Sequence, residues 1–223
     1  MTSRVVAIVP MRHDSERVRG KNYRPLGGRP LFHHIVETLL ASPAISRVAI
    51  DTDSDVVRDS ALAAFPEVEV LERPPHLRDG MIPMNDVLLH DVGRIEADLY
   101  LQTHSTNPLL RTATVTAAIE RLLADPASDS LFGVTRLQTR LWNADGSPLN
   151  HDRAVLVRTQ DLPPVYEENS CVYLFSRESL ERHGNRIGDR PILFEIPRDE
   201  AWDIDEEVDF RVAEALYALR SES

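Results

Sequence analysis

The sequence predicts an α/β fold, a mostly parallel sheet with helices on both faces. Two observations carry this expectation. Short apolar runs rich in β-branched residues alternate with segments of helical periodicity from Val5 to about Thr135. The runs are apolar throughout, as expected of strands buried on both faces. Alternation of this kind packs helices against a parallel sheet, and ligands then bind beyond the carboxyl ends of the strands.

Taken in order, Val5 to Val9 reads as the first buried strand. A polar loop rich in cations follows, to about Gly28. Pro30 suits the first turn of a helix. Leu31, Phe32, Ile35, Val36, Leu39 and Leu40 recur at helical spacing, which predicts an amphipathic helix over 30–41. Val48 to Ile50 is the second strand, ending in Asp51-Thr52-Asp53. Residues 54–65 read as a helix, Val68 to Leu71 as a strand, 84–95 as a helix and Leu99 to Leu101 as a strand. Thr112 to Leu123 is helical and Ser130 to Thr135 a strand. The rhythm then breaks. Asn143 to Pro148 reads as a turn, and Leu162-Pro163-Pro164 interrupts again. Residues 140–170 read as an excursion from the sheet: a lid, an arm or a dimer contact. A helix from about Glu206 to Leu219 closes the chain. The whole is Rossmann-like, with candidate ligand loops after Val9, Ile50 and Leu101.

The 223 residues suit one domain, and a hydrophobic share of 42% supplies a sizeable core. The formal net charge of −11 argues against nucleic acid or an anionic membrane as partner. An anionic substrate then needs a local cationic pocket. The single cysteine, Cys171, sits in an apolar run and reads as a core residue. No apolar stretch approaches membrane-spanning length and no signal region is apparent, so a soluble cytoplasmic protein is expected.

Of the 25 basic residues only Lys21 is a lysine. In a chain that otherwise uses arginine, a retained lysine points to a place where a planar fork does not fit, such as a crowded phosphate pocket. Its surroundings agree: Arg12, Arg17, Arg19 and Lys21 crowd the loop after the first strand. Backbone N–H groups there can also turn toward an anion. The loop is neither a P-loop nor a three-glycine dinucleotide fingerprint. A second cluster, Asp203-Ile204-Asp205, places two carboxylates on one side of an extended segment. With phosphate oxygens and water, these suit Mg2+. Glu206 and Glu207 read as acids favouring the start of the last helix. His104, Thr106 and Asn107 follow the strand ending at Leu101 and face the same cleft. Arg158, Gln160 and Asn169 flank the excursion, where they could bind an acid. His33 and His34 read as packing or surface residues.

These loops together resemble the acylneuraminate cytidylyltransferase family, the CMP-sialic acid synthetases and their relatives. The first motif runs Pro10-Met11-Arg12-His13-Asp14-Ser15-Glu16-Arg17-Val18-Arg19-Gly20-Lys21-Asn22, followed by Leu26-Gly27-Gly28-Arg29-Pro30-Leu31. Ile50-Asp51-Thr52-Asp53, Leu71-Glu72-Arg73-Pro74 and His104-Ser105-Thr106-Asn107-Pro108 are similar to its strand-end motifs. Tyr166 to Tyr173 and Asp203-Ile204-Asp205 with Asp209, Ala213 and Glu214 complete the likeness. The resemblance implies one nucleotidyltransferase domain over residues 1–223. It implies transfer of CMP from CTP to the hydroxyl of an acidic, α-keto acid sugar, with release of pyrophosphate. By analogy Arg12, Lys21 and Asp203 are catalytic, and Arg12, Ser15 and Lys21 hold the triphosphate. Asn22 and Arg73 would help fix ribose and cytosine. Asp203 and Asp205 would hold Mg2+, and Arg158 or Gln160 the acceptor carboxylate. His104, Thr106 and Asn169 would complete the acceptor side. Family members are homodimers whose projecting arm completes the neighbour's site, which gives the excursion at 140–170 the character of a small dimerisation arm.

The chain departs from the family pattern at His13-Asp14, where a glycine pair is usual, at His104 for a glutamine, and at Ser170 for a glycine. Ala201-Trp202 replace a small polar residue. Nucleotide-side positions are thus retained while acceptor-side positions change, which points to an unusual acceptor. Kdo, legionaminic- or pseudaminic-type sugars and a phosphonate are the alternatives. Lys21-Asn22 fits the acylneuraminate group better than the Kdo group, where proline usually follows the lysine. A non-catalytic nucleotide-binding relative is disfavoured by Lys21, Asp203 and Asp205, and an NAD-binding domain by the missing glycines.

Overall fold

The computed structural model describes residues 3–14 and 17–221. The first strand, β1 (Val5–Met11), lies inside the sheet and is buried at every position. Alternate side chains of β1 go to opposite faces, as the pleat requires. Val5, Ala7, Val9 and Met11 join Phe32, Ile35, Val57, Val115 and Ile119 in one core. Val6 and Ile8 join Leu88, Val92 and Leu180 in the other. Helices α1 (Leu31–Leu40), α2 (Asp55–Ala64) and α4 (Thr112–Leu123) therefore cover one face, and α3 (Met84–Arg94) and α5 (Arg177–His183) the second.

The strands flanking β1 are β4 (Arg47–Thr52) and β6 (Leu99–Gln102), both parallel to it, with β5 (Glu69–Glu72) parallel on the outside of β4. Beyond β6 lie β8 (Val165–Phe175), β7 (Ser130–Leu137) and β9 (Pro191–Glu195), giving the order β5-β4-β1-β6-β8-β7-β9. A small hairpin, β2 (Pro25–Leu26) and β3 (Arg29–Pro30), stands apart. The mostly parallel sheet is as expected, with one exception. Strand β8 runs antiparallel to both β6 and β7.

Beyond the small hairpin, which lies in the expected loop and at Pro30, three elements were not legible in the sequence: β8, α5 and β9. The expected excursion over 140–170 accordingly ends too late. Residues 165–170 form the first half of β8, paired with β7 from Leu137↔Val165 to Val134↔Glu168. Asn169-Ser170 hid this strand because it sits at a break in the ladder. The register shifts between Phe132 and Val134, and Ser170 takes a left-handed φ of 57°. A β-carbon at Gly133 would come within 2.6 Å of Asn169 Oδ1, so the irregularity needs glycine on the facing strand.

The last helix, α6 (Glu207–Ser221), packs on neither main core. Phe210 and Ala213 form a third cluster with Val18, Leu26, Leu31 and Ile204. That cluster ties the loop after β1 to the acidic segment, two parts of the chain far apart in sequence. Cys171 is buried, and burial pushes its thiol pKa up, as suits a core residue. No helix is long and apolar enough to cross a membrane among the described residues.

Candidate active site

The loops after β1, β5 and β6 meet the acidic segment around a cleft of about 440 Å³. Arg12, Lys21, Asn22, Arg73, His104, Thr106, Asp203 and Asp205 all line it. Ser15, expected among the nucleotide-binding residues, lies outside the described residues.

Lys21 is placed by local backbone chemistry. Gly20 adopts φ 63°, and a β-carbon there would sit 2.7 Å from the Tyr23 ring, so the turn into Lys21–Tyr23 requires glycine. Val18, buried in the third cluster, anchors the other side of the turn. The Lys21 side chain is only 12% exposed, and Nζ donates to the Ile204 carbonyl at 2.5 Å and lies 3.9 Å from Asp205. Burial lowers its pKa, opposed by the carboxylates of Asp203 and Asp205. An ammonium with one backbone partner keeps donors free for an anion in the cleft. Arg12, half-buried beside it, has no side-chain partner among the described residues, whereas Arg17 is spent on Asp205 at 2.7 Å.

The acidic segment behaves as its alternation predicts. Ile204 is wholly buried and its N–H donates to Thr106 O at 3.0 Å, while Asp203 and Asp205 border the cleft. Burial pushes the Asp203 pKa up, and a hydrogen bond from the Thr106 hydroxyl opposes this. Asp203 Oδ1 is buried without a hydrogen-bond partner. Such an atom is costly unless a ligand completes it. Asp209 caps the turn by accepting from the N–H groups of Asp205 at 3.0 Å and Glu206 at 2.7 Å. Among the described residues no group of three or more His, Cys, Asp or Glu is arranged to hold a metal. Two carboxylates, one with an orphaned oxygen, fit an ion whose remaining ligands come from phosphate and water.

Other expected residues are placed differently. Asn22 donates to Arg12 O at 2.7 Å and accepts from the Ser105 hydroxyl at 2.7 Å, so its amide fastens the first loop to the third. Arg73 is 1% exposed and its Nε donates to Asp51 at 2.5 Å, so most of its charge is answered inside the protein. The Thr106 hydroxyl bonds Asp203 at the cleft. Asn169 bonds Thr135 Oγ1 at 3.1 Å and the Cys171 N–H at 3.2 Å, within the sheet. Arg158 is exposed, paired with Asp161 at 2.7 Å, and Gln160 is exposed with it in the same turn. Neither reaches the cleft of its own chain. His33 and His34 pack as expected, His34 with Nε2 2.9 Å from Leu26 O.

Residues that the sequence reading missed include Ser170 and Met84 in the lining, and Gln102, Tyr173 and Arg186 behind it. Ser170 carried a signal, since it stands where the resembling family has glycine and does adopt φ 57°. Arg186 carried none, because it follows a helix that the pattern did not reveal.

A mostly parallel α/β sheet, a cationic loop at the end of its first strand and an acidic pair beside that loop define a nucleotidyltransferase. The cytidylyltransferase family model matches residues 6–220, and the chain belongs to that family. It is 24% identical to the post-translational flagellin modification protein B of Campylobacter coli, over 96% of this chain and 95% of that one. It is 26% identical to N-acylneuraminate cytidylyltransferase A of Danio rerio over 94% of its own length, and spans 50% of that relative. A solved CMP:2-keto-3-deoxy-manno-octonic acid synthetase complexed with CTP superposes with a TM-score of 0.75 at 19% identity, covering 98% of this chain and 100% of the other.

Proposed function

We propose that the protein transfers CMP from CTP to a hydroxyl of a 2-keto acid sugar. The observation that carries the reading is the meeting of two cations with an incomplete acid site in one cleft. Lys21 and Arg12 face Asp203 and Asp205, and the Asp203 oxygen lacks a partner. In the reaction the acceptor hydroxyl oxygen forms a bond to the α-phosphorus. The bond from that phosphorus to the α–β bridging oxygen breaks, pyrophosphate leaves, and the hydroxyl proton is lost. Lys21 and Arg12 neutralise and orient the triphosphate, which is catalysis by positioning and charge. Asp203 and Asp205 would hold Mg2+, which supplies Lewis-acid neutralisation of the phosphate oxygens when bound. Asn22 keeps the loops at the spacing that the triphosphate needs.

The arm supports a homodimer. Trp142, Leu149, Val155 and Leu156 are exposed there, Leu156 at 89%, and Arg158 lies on the same segment. A partner's arm bringing Arg158 and Gln160 over this cleft would meet the acceptor carboxylate. A cytoplasmic location, where CTP is available, accords with this reading.

Incubation with CTP, Mg2+ and a panel of acids, read by pyrophosphate release, tests the proposal. N-acetylneuraminate, Kdo, a legionaminic-type sugar and a simple phosphonate are the arms. Turnover is expected with at least one keto acid sugar and not when ATP, GTP or UTP replaces CTP. Equal turnover with a purine triphosphate, or release only with the phosphonate, overturns it.

A further inference from the structure

Gln102 is wholly buried at the end of β6, and its two amide ends are set by partners with no choice of role. Arginine can only donate, and a backbone carbonyl can only accept. Arg186 Nη1 donates to Gln102 Oε1 at 2.5 Å, and Gln102 Nε2 donates to the Thr103 carbonyl at 3.1 Å. Turning the amide round would set donor against donor and acceptor against acceptor. The second Nε2 hydrogen therefore faces His104 Nε2, at 3.0 Å. That ring nitrogen must accept, so the imidazole hydrogen sits on Nδ1. Among the described residues His104 Nδ1 has no hydrogen-bond partner, and His104 lines the cleft.

Arg186 is itself firmly held. Its guanidinium lies 3.5 Å from the centroid of the Tyr173 ring, and its backbone N–H donates to Asn85 Oδ1 on α3 at 3.2 Å. The Tyr173 hydroxyl bonds Glu168 and reaches Ser170 Oγ at 3.4 Å. The relay thus joins α3, β6 and β8 behind the part of the cleft that His104 and Ser170 line.

We infer that Arg186 and Gln102 are positioning residues that fix His104 as a neutral Nδ1–H donor to an oxygen of the acid acceptor. The inference rests on the proposed function for the identity of the acceptor alone. The tautomer is a property of the free protein. The groups facing His104 agree with a neutral ring: burial, with the cations Arg186 and Lys21 nearby, pushes its pKa down to about 3. A donor without charge can read a specific oxygen while leaving phosphate recognition to Lys21 and Arg12. A site built from hydrogen-bond donors also rejects analogues that lack the matching group.

The test is 15N spectroscopy of histidine-labelled protein, with His104 assigned among the eight histidines by loss of its signal in His104→Gln. The Nδ1–H pattern is expected, unchanged from pH 5.5 to 8. In Gln102→Glu, a near-isosteric change, the carboxylate still pairs with Arg186 but can only accept, so the hydrogen should move to Nε2. The same variant should raise the acceptor KM by about tenfold or more and leave the CTP KM within about twofold. If Gln102→Glu does not fold, Arg186→Gln frees the amide to rotate and should give a mixture of tautomers. An Nε2–H pattern in the wild type overturns the relay, as does an unchanged tautomer in the variants. A reversed tautomer with unchanged acceptor KM overturns the binding role. Failure of every acid sugar to turn over would overturn the proposed function and leave the tautomer result standing.

Discussion

The two walls of the cleft are built on different principles. One, made by the loop after β1 and the segment before α6, carries full charges that the fold leaves partly unanswered: Arg12, Lys21 and an Asp203 oxygen. The other, made by the ends of β6 and β8, carries polar groups that answer one another: Arg186, Gln102, His104, Tyr173 and Glu168. The first arrangement suits a triphosphate, for which charge compensation outweighs shape. The second suits a polyhydroxylated acid, for which directional donors discriminate.

The largest effect expected from breaking this contrast is at Lys21. Its ammonium sits under the Ile204 carbonyl with little room, and a planar guanidinium cannot occupy that place. Lys21→Arg should lose kcat/KM for CTP nearly as severely as Lys21→Ala, on the order of 10²-fold or more. Retention of over about half the activity, a loss below ~0.5 kcal/mol, would make Lys21 an ordinary surface cation.

Next in size are the two carboxylates. Asp203 is half-buried with one orphaned, buried oxygen, while Asp205 is half exposed and paired with Arg17. Asp203→Asn should weaken transition-state stabilisation by several kcal/mol, about the scale of a lost metal ligand. Asp205→Asn should be the milder change, recovering in part at high Mg2+. Magnesium titrations of both variants, with circular dichroism to confirm folding, check the order. Full activity of both would return them to the helix-start reading.

A third prediction concerns a group behind the cleft. Asp91 on α3 is wholly buried near Asp51 and Arg73, and burial, then the Asp51 carboxylate, pushes its pKa up to about 8. The ordinary value is 3.8, so between the two pKa values the folded protein holds a proton that the unfolded chain has lost. Stability from this group is therefore greatest below the unfolded pKa and falls as pH rises toward the folded one. Asp91→Asn should remove the slope, so its advantage over wild type widens by up to about 1.4 kcal/mol per pH unit. Melting temperatures at pH 5.5 and 8.5 measure this, and an equal gap at both pH values would refute it.

The smallest expected effect is at Arg158. Its ion pair with Asp161 is exposed, so Arg158→Ala should change stability by under about 1 kcal/mol. If a partner's arm supplies the acceptor site, the same variant raises acceptor KM without touching CTP KM. Light scattering should give a dimer mass at micromolar concentration. An active monomer would overturn the homodimer and confine the acceptor site to one chain.

The amino-acid sequence by itself determined the parallel half of the molecule and the charged wall. Residues such as Val5 to Val9 and Leu31 to Leu40 declare strand and helix by local periodicity, and β4 and β5 fall within a residue or two of their predicted ends. Lys21, Asp203 and Asp205 were legible because a lone lysine among arginines and two carboxylates on alternate residues are local signals. Only the tertiary structure decided the other wall. Strand β8 is interrupted at Asn169-Ser170, where the ladder shifts opposite Gly133, and α5 and β9 follow without a repeating pattern. The partners that matter there lie far apart in the chain, Arg186 against Gln102 and Arg17 against Asp205. Tertiary packing also gave Asn22, Arg73 and Thr106 partners within the protein while leaving them at the cleft. A polar side chain buried by folding must find a partner, and which partner it finds depends on the sheet order. Periodicity records how each segment meets its own core, whereas pairing across the cleft is settled only when separate segments meet.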